Sequence, residues 1–267
     1  MKVQIQALAT ALVLLRERRP VVHAITNWVT AGDVASALHA IGARPVMASA
    51  PEEVSDIVSG ADALVLNLGT PDPTRVKAML MAGHRANSLG RPIVFDPVGV
   101  GASPFRMEAA REILSELRIT AVRGNRAEIG AITEMGGELR GIDAQTGPSD
   151  LLSTARILSR RTGAVVAATG PHDLIVRGET SVVVENGHPI MARVTGTGCI
   201  LSAIVAAFAA VEADPFIATV VAIAFFGLAG EYAALKSQGP GTFKMALLDV
   251  LSELSPDDLK TGAKVRE

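Results

Sequence analysis

Residues 194–199 read Val194-Thr195-Gly196-Thr197-Gly198-Cys199 and run straight into the apolar stretch Ile200 to Ala210. Without a Cβ, Gly196 and Gly198 let the backbone turn sharply and approach a ligand closely. The first turn of the helix that follows has N–H groups with no intrahelical acceptor, and the positive end of its dipole adds to them, so the stretch favours an anion. Cys199 stands where that field is strongest, and its thiol is expected to ionise more readily than a free one. Negative charge that develops during a reaction would be stabilised here. The same residues also spell a tight turn with Thr197 as the helix cap, and a buried, inert cysteine is common. The functional reading therefore depends on what the rest of the chain brings to the same place.

Five further groups could join it. Asp96 closes an apolar run and precedes Pro97-Val98-Gly99-Val100-Gly101. A carboxylate so placed suits Mg²⁺, which takes one or two carboxylates plus substrate phosphates, and suits equally a turn cap before proline. In Arg123-Gly124-Asn125-Arg126-Ala127-Glu128, Asn125 and Glu128 have the spacing of a helix capping box. The functional alternative sets Glu128 near a metal-bound phosphate and Arg123 on the phosphates, which its planar fork of donors matches. Thr169-Gly170, Thr26-Asn27 and Met47-Ala48-Ser49 each follow a β-branched or apolar run; a methionine there can fill core as readily as touch a ligand. His23, His39, His84, His172 and His188 show no metal-ligand spacing with one another. His39 and His84 read as surface positions on helices, and His172 as a loop residue.

The elements that must position these groups follow from periodicity. Strands are expected at Val21–Ile25, Pro45–Met47, Ala63–Asn67, Pro92–Asp96, Ile119–Val122 and Ala164–Ala168, with helices at 27–41, 73–89 and 105–117 and another opened by Asn125. Asp173–Val176 and Ser181–Val184 flank Arg177-Gly178-Glu179-Thr180, a hairpin turn. The C-terminal third reads as helical. Such alternation makes a mostly parallel sheet with helices on both faces and a late antiparallel hairpin at or near one edge. Ligands of open α/β sheets sit beyond the carboxyl ends of the strands, where the polar residues above cluster.

Composition bounds the classes. The 267 residues show no linker, repeat or low-complexity tract and are expected to form one domain, 1–267. Hydrophobic residues are 49% and aromatics 3%, so the core must be aliphatic, with enough apolar surface for a subunit interface as well. A net charge of -2 with scattered basic residues leaves no nucleic-acid footprint. One cysteine excludes an intrachain disulfide and fits a reducing compartment. Leu8, Leu12 and Leu15 share a helical face that runs into Arg16-Glu17-Arg18-Arg19 without a cleavage site, so a signal peptide is not expected. Glu212, Asp214 and Pro215 break the apolar region 201–230 into halves too short to span a bilayer. A soluble cytoplasmic protein, with no membrane partner, is the expectation.

The chain resembles the hydroxyethylthiazole kinase family, of ribokinase-like fold. The resemblance is carried in order by His23-Ala24-Ile25-Thr26-Asn27, Val46-Met47-Ala48-Ser49-Ala50, Asn67-Leu68-Gly69-Thr70, Phe95-Asp96-Pro97-Val98-Gly99, Arg123-Gly124-Asn125-Arg126-Ala127-Glu128, Ala168-Thr169-Gly170 and Thr195-Gly196-Thr197-Gly198-Cys199. It implies a three-layer sandwich and ATP-dependent phosphorylation of the hydroxyethyl arm of 4-methyl-5-(2-hydroxyethyl)thiazole, a thiamine salvage step. By resemblance, Met47 and Gly196, with Asn27, contact the thiazole, and Arg123 and Thr169, with Asn125, contact ATP. Asp96 and Glu128 help hold Mg²⁺, and residues Gly196, Thr197, Gly198 and Cys199 form the anion hole. The family is similar in being a homotrimer with sites near subunit boundaries, and related sugar kinases have aspartate at the position of Cys199. Phosphoryl transfer needs mainly positioning and charge neutralisation, so Cys199 could accept the alcohol proton or only place the hydroxyl. Three alternatives stay open: a cysteine acyl-transferase or hydrolase using Cys199 as nucleophile, a non-catalytic nucleotide binder on the same fold, and a related kinase for another vitamin-precursor alcohol.

Overall fold

The computed structural model describes residues 5–135, 138–140 and 143–267. In chain order these form α1 (Ile5–Arg18), β1 (Val21–Ile25), α2 (Ala31–Ile41), β2 (Arg44–Val46), α3 (Val54–Ser59), β3 (Ala63–Asn67), α4 (Pro73–Ser88), β4 (Ile93–Asp96) and α5 (Pro104–Glu116). There follow β5 (Ala121–Asn125), α6 (Arg126–Thr133), β6 (Glu138–Arg140), β7 (Asp143–Thr146), α7 (Leu151–Thr162), β8 (Val165–Thr169), β9 (Asp173–Arg177) and β10 (Thr180–Val184). A 3-10 turn (Pro189–Arg193) then leads to α8 (Thr197–Ala209), α9 (Pro215–Leu235), α10 (Pro240–Glu253), α11 (Pro256–Gly262) and β11 (Val265–Arg266).

Nine strands make one sheet in the order β11-β10-β9-β8-β5-β4-β3-β1-β2. From β2 to β8 all pairings are parallel, and β9, β10 and β11 add antiparallel ladders at one edge. The two-residue alternation of strand side chains divides the core. Val22, Ala24, Ala63, Val65, Val94, Ala121, Val165 and Ala167 face one layer, with α1, α2 and α8–α11. Ile25, Leu64, Leu66, Ile93, Phe95, Val122 and Val166 face the other, with α3–α7. Helix α8 packs on β1, β3 and β4, and small buried residues line both sides of that layer, Ala24 and Ala63 on the strands and Ala203, Ala206 and Ala207 on the helix. Its N-terminus thereby reaches the carboxyl ends of β1, β3 and β4.

The chain goes from β1 out to β2 and returns past β1 to form β3, so the strand order reverses between β1 and β3. A crevice opens at such a switch point. Thr26-Asn27 and Leu68-Gly69 leave the sheet there.

Several expected bounds shift. Residues 27–30 are a turn, and α2 begins at Ala31 rather than Asn27. β5 runs Ala121–Asn125 rather than 119–122, so Arg123 and Asn125 belong to a strand end, aligned with Ala167 and Thr169 of β8. The helical C-terminal third ends in β11, an edge strand the sequence pattern did not indicate. The expected break at Glu212, Asp214 and Pro215 separates α8 from α9, but α9 continues past Gly230 to Leu235 and reaches 21 residues, long and apolar enough by length and composition to cross a membrane, so the second half is longer than expected. Of its apolar window 83% is buried inside the fold, which makes it the central helix of its layer.

Candidate functional site

The stretch 194–199 folds as a sharp entrance to α8. Gly196 takes φ 96°, a left-handed conformation that disfavours any residue with a Cβ, and it is the residue that caps the helix. Thr197, expected as the cap, is instead the first helical residue, and its hydroxyl donates backward to Met191 O (3.1 Å) and Val194 O (3.3 Å). Ile200 N–H is the first to reach a helical acceptor, Gly196 O at 2.9 Å. The amides of Thr197, Gly198 and Cys199 precede that ladder and have no acceptor among the described residues. Close packing accounts for both glycines: a Cβ on Gly196 would sit 2.7 Å from Thr30 Cγ2, and one on Gly198 2.5 Å from Arg123 Nη1.

A directional chain of hydrogen bonds crosses the crevice beneath this turn. Thr30 N–H and hydroxyl donate to Asn27 Oδ1, each at 3.0 Å. Asn27 Nδ2 donates to Asn67 Oδ1 and to Cys199 Sγ, each at 3.2 Å. Asn67 Nδ2 in turn donates to Asp96 Oδ2 at 2.8 Å, and Ser202 Oγ meets the same oxygen at 2.8 Å. Asn27, Asn67, Asp96 and Ser202 are all buried, and the pattern fixes which way each amide points. It leaves Asp96 Oδ1 buried with no hydrogen-bond partner among the described residues, 3.9 Å from Arg123 Nη1.

Glu128 is the second buried carboxylate. The expected capping box is present: Asn125 Oδ1 accepts from Glu128 N (2.9 Å) while Glu128 Oε2 accepts from Asn125 N (2.7 Å). Its other oxygen accepts from Gly99 N at 2.8 Å. The capping reading of Glu128 is borne out, and the cap leaves the carboxylate against the turn that follows Asp96. Burial, then the charge of Asp96, pushes Glu128 up to about 7. Burial pushes Asp96 up as well, against the pull of Arg123, Ser202 and Asn67. Two buried carboxylates held above their ordinary range, one with an idle oxygen, make a place that a divalent cation relieves. Two carboxylates are also the complement Mg²⁺ uses beside substrate phosphates. The donor set fits Mg²⁺.

Arg123 Nη2 donates to Thr169 Oγ1 at 2.6 Å, which aligns a guanidinium and a hydroxyl on adjacent strands facing the α8 turn. Met47 lies just past β2, half-buried against the α8 layer. His39, His84 and His172 are exposed, as expected, and His23 is buried.

The expectation for Cys199 is overturned. Burial raises its thiol above the ordinary value, and the charge of Asp96 raises it further; Thr30, Asn67 and Arg123 oppose this but do not win. The helix field is real, but it acts on a desolvated thiol beside a carboxylate, so Cys199 is a neutral thiol rather than a thiolate. Sequence reasoning also missed Asn67, Ser202 and Thr30 as site residues. Asn67 had the same signal as Asp96, a polar residue ending an apolar strand. Ser202, a lone hydroxyl in an aliphatic helix, gave only a faint one.

A separate cavity of about 530 Å³ lies at the opposite edge of the sheet, lined by Arg18, Arg91, Arg118, Asp62 and Glu212 among others. Its arginines are engaged by Val211 O, Asp62 and Asn87 O.

A family model described as the hydroxyethylthiazole kinase family matches residues 12–257. A hydroxyethylthiazole kinase of Methanoculleus marisnigri is 49% identical over 259 residues, covering 97% of this chain and 93% of the relative. One of Moorella thermoacetica is 48% identical, covering 94% of each. Among solved structures, a hydroxyethylthiazole kinase protein from Pyrococcus horikoshii OT3 superposes with TM-score 0.89 at 41% identity, covering 97% of this chain and 98% of that one. A ribokinase-like superfamily protein from Enterococcus faecalis V583 shares the fold, with TM-score 0.63 at 16% identity.

Proposed function

The chain belongs to the hydroxyethylthiazole kinase family, and from that premise we propose how its residues divide the work of moving the γ-phosphoryl group of ATP to the hydroxyethyl arm of the thiazole. The α8 turn receives the moving group: the amides of Thr197, Gly198 and Cys199 have no acceptor among the described residues and serve as donors for charge that grows in the transition state. Arg123 and Thr169 take ATP phosphate oxygens, and Asn125 supports that strand end. Met47 and Gly196 border the thiazole, and Asn27 and Cys199 place its hydroxyl in line with the phosphorus. Because Cys199 is a neutral thiol, its part is positioning: a loose transition state leaves the alcohol proton on until late and asks little of a base.

Asp96 and Glu128 would hold Mg²⁺, which supplies charge neutralisation and orientation of the nucleotide phosphates. The chain's own contribution is to keep Asp96 fixed through Asn67 and Ser202 with Oδ1 free. We further read the molecule as one kinase domain of a cytoplasmic homotrimer whose sites lie near subunit boundaries. Exposed Trp28 and Val29, adjoining Asn27, support that reading.

The observation that carries the proposal is the α8 turn, with its free amides, facing the buried Asp96–Asn67–Asn27 chain. It is tested by a coupled ADP-release assay over a panel of heteroaromatic alcohols with and without Mg²⁺. Mg²⁺-dependent turnover of the thiazole alcohol that falls at least about 10²-fold in Asp96→Ala is expected. Binding of ATP with no turnover of any alcohol, or acylation of Cys199 without ATP, would refute it.

A further inference from the structure

We propose that His23 is a positioning residue for the thiazole pocket: its imidazole ties the segment after β2, which carries Met47, to the sheet. His23 is the one polar side chain of Val21–Ile25 and is fully buried. Val22 and Ala24 face the α8 layer and Ile25 the α3–α7 layer. Strand alternation therefore sends the imidazole to the α3 side, with Ile25. There Nε2 meets Ala48 O at 2.9 Å.

A carbonyl oxygen only accepts, so Nε2 must carry the proton, which fixes the tautomer. Nδ1 is buried with no partner among the described residues. Unprotonated, it leaves only an acceptor idle; protonated, it would leave a buried charged donor idle, which costs more. Burial pushes the imidazole pKa down, in agreement with that, although the Ala48 carbonyl and Glu53 pull it up.

The location of the acceptor gives the bond its purpose. The ladder pairs His23 with Val46, the last residue of β2. Residues 47–53 leave the sheet and are next gathered at the turn into α3, where Glu53 N and Val54 N bond to Ala50 O at 3.1 and 3.2 Å. The imidazole reaches two residues beyond its strand partner and holds the segment at Ala48, one residue from Met47. An aliphatic side chain would suit the core equally well but could not make this tie.

The inference rests on the assignment of Met47 to the thiazole pocket, and the experiment separates the two. KM for the thiazole alcohol, KM for ATP and kcat are measured for His23→Leu, His23→Gln and Met47→Ala, with thermal melts to confirm folding. Loss of one buried hydrogen bond predicts a rise of about tenfold in thiazole KM for His23→Leu with ATP KM unchanged within about twofold. His23→Gln, whose terminal amide can donate from nearly the same point, should return thiazole KM to within about threefold of the parent. A thiazole KM unchanged in His23→Leu but raised in Met47→Ala overturns the anchor alone. Both KM values rising together in a folded His23→Leu also overturns it, because the effect is then general loosening. An unchanged thiazole KM in Met47→Ala removes Met47 from the pocket and overturns the anchor's purpose with it. If His23→Leu does not fold, His23→Asn, polar but too short to reach Ala48 O, replaces it under the same criteria.

Discussion

Cys199 lies at a helix N-terminus, where a thiol is often activated, yet it is surrounded by groups that keep it protonated: a buried setting and Asp96. Its alkylation by iodoacetamide should therefore be slow at neutral pH and accelerate only above the ordinary value of 9.0. Fast labelling at pH 7 would restore the thiolate and, with it, a general-base role. Asp173 offers a second test. Gly170 N–H bonds its Oδ1 at 2.9 Å, yet burial wins and pushes its pKa from 3.8 up to about 6. The folded chain holds this proton more tightly than the unfolded chain does, so stability falls as pH rises from about 4 to about 6 and then levels. With some solvent access remaining, the effect is about 1–2 kcal/mol. Asp173→Asn keeps the acceptor for Gly170 and should flatten the melting-temperature profile across that window relative to the parent; an unaltered slope would contradict it. Of these residue-level facts, the sequence showed which side chains are present and where strands end. It did not show that Cys199 and Asp96 become neighbours, since that proximity is created by α8 lying across β3 and β4.

At the scale of elements, α8 and the turn before it show how two glycines in one motif do different jobs. Gly196 is required by backbone conformation: alanine there would face a left-handed φ and Thr30 Cγ2 at 2.7 Å. Gly196→Ala should lower stability by about 1–2 kcal/mol and activity with it. Gly198 is helical, and an added Cβ meets the flexible end of Arg123 at 2.5 Å. Gly198→Ala should leave the melting temperature within a few degrees but swing Arg123 off Thr169 and raise KM for ATP by about tenfold. Equal stability losses in the two variants would contradict the distinction. The strands were legible because β-branched runs such as Ala63–Asn67 alternate with helical periods. Cap chemistry was legible at Asn125 and Glu128, where the spacing itself encodes the bonds. It was not legible at Thr197, because a glycine that can take φ 96° makes a threonine cap unnecessary. Nor was the extent of β5 legible: Arg123, Gly124 and Asn125 lack strand propensity, and only pairing with β8 extends the ladder through them.

At the scale of the whole molecule, the parallel sheet, the two helical layers and the antiparallel edge followed from the order of periodic segments, and the carboxyl-edge rule points to the crevice where Asn27, Asn67 and Asp96 meet. Strand order was not readable, because nothing local in Asp173–Arg177 says that it pairs antiparallel to β8. The same scale governs assembly. Trp28 is 69% exposed and Val29 66% exposed beside Asn27, a costly display at the rim of a polar crevice unless it is covered. Light scattering should give a mass of three 27.7 kDa chains, and Trp28→Glu should dissociate the assembly and lower activity together; a fully active monomer would contradict the trimeric reading. The account as a whole depends on one placement. A crystal structure with Mg²⁺, a non-hydrolysable ATP analogue and the thiazole alcohol tests it most directly. The terminal phosphate is predicted to lie within about 3 Å of the N–H groups of Thr197, Gly198 and Cys199, with the alcohol oxygen between it and Cys199; a terminal phosphate bound away from the α8 turn would contradict it.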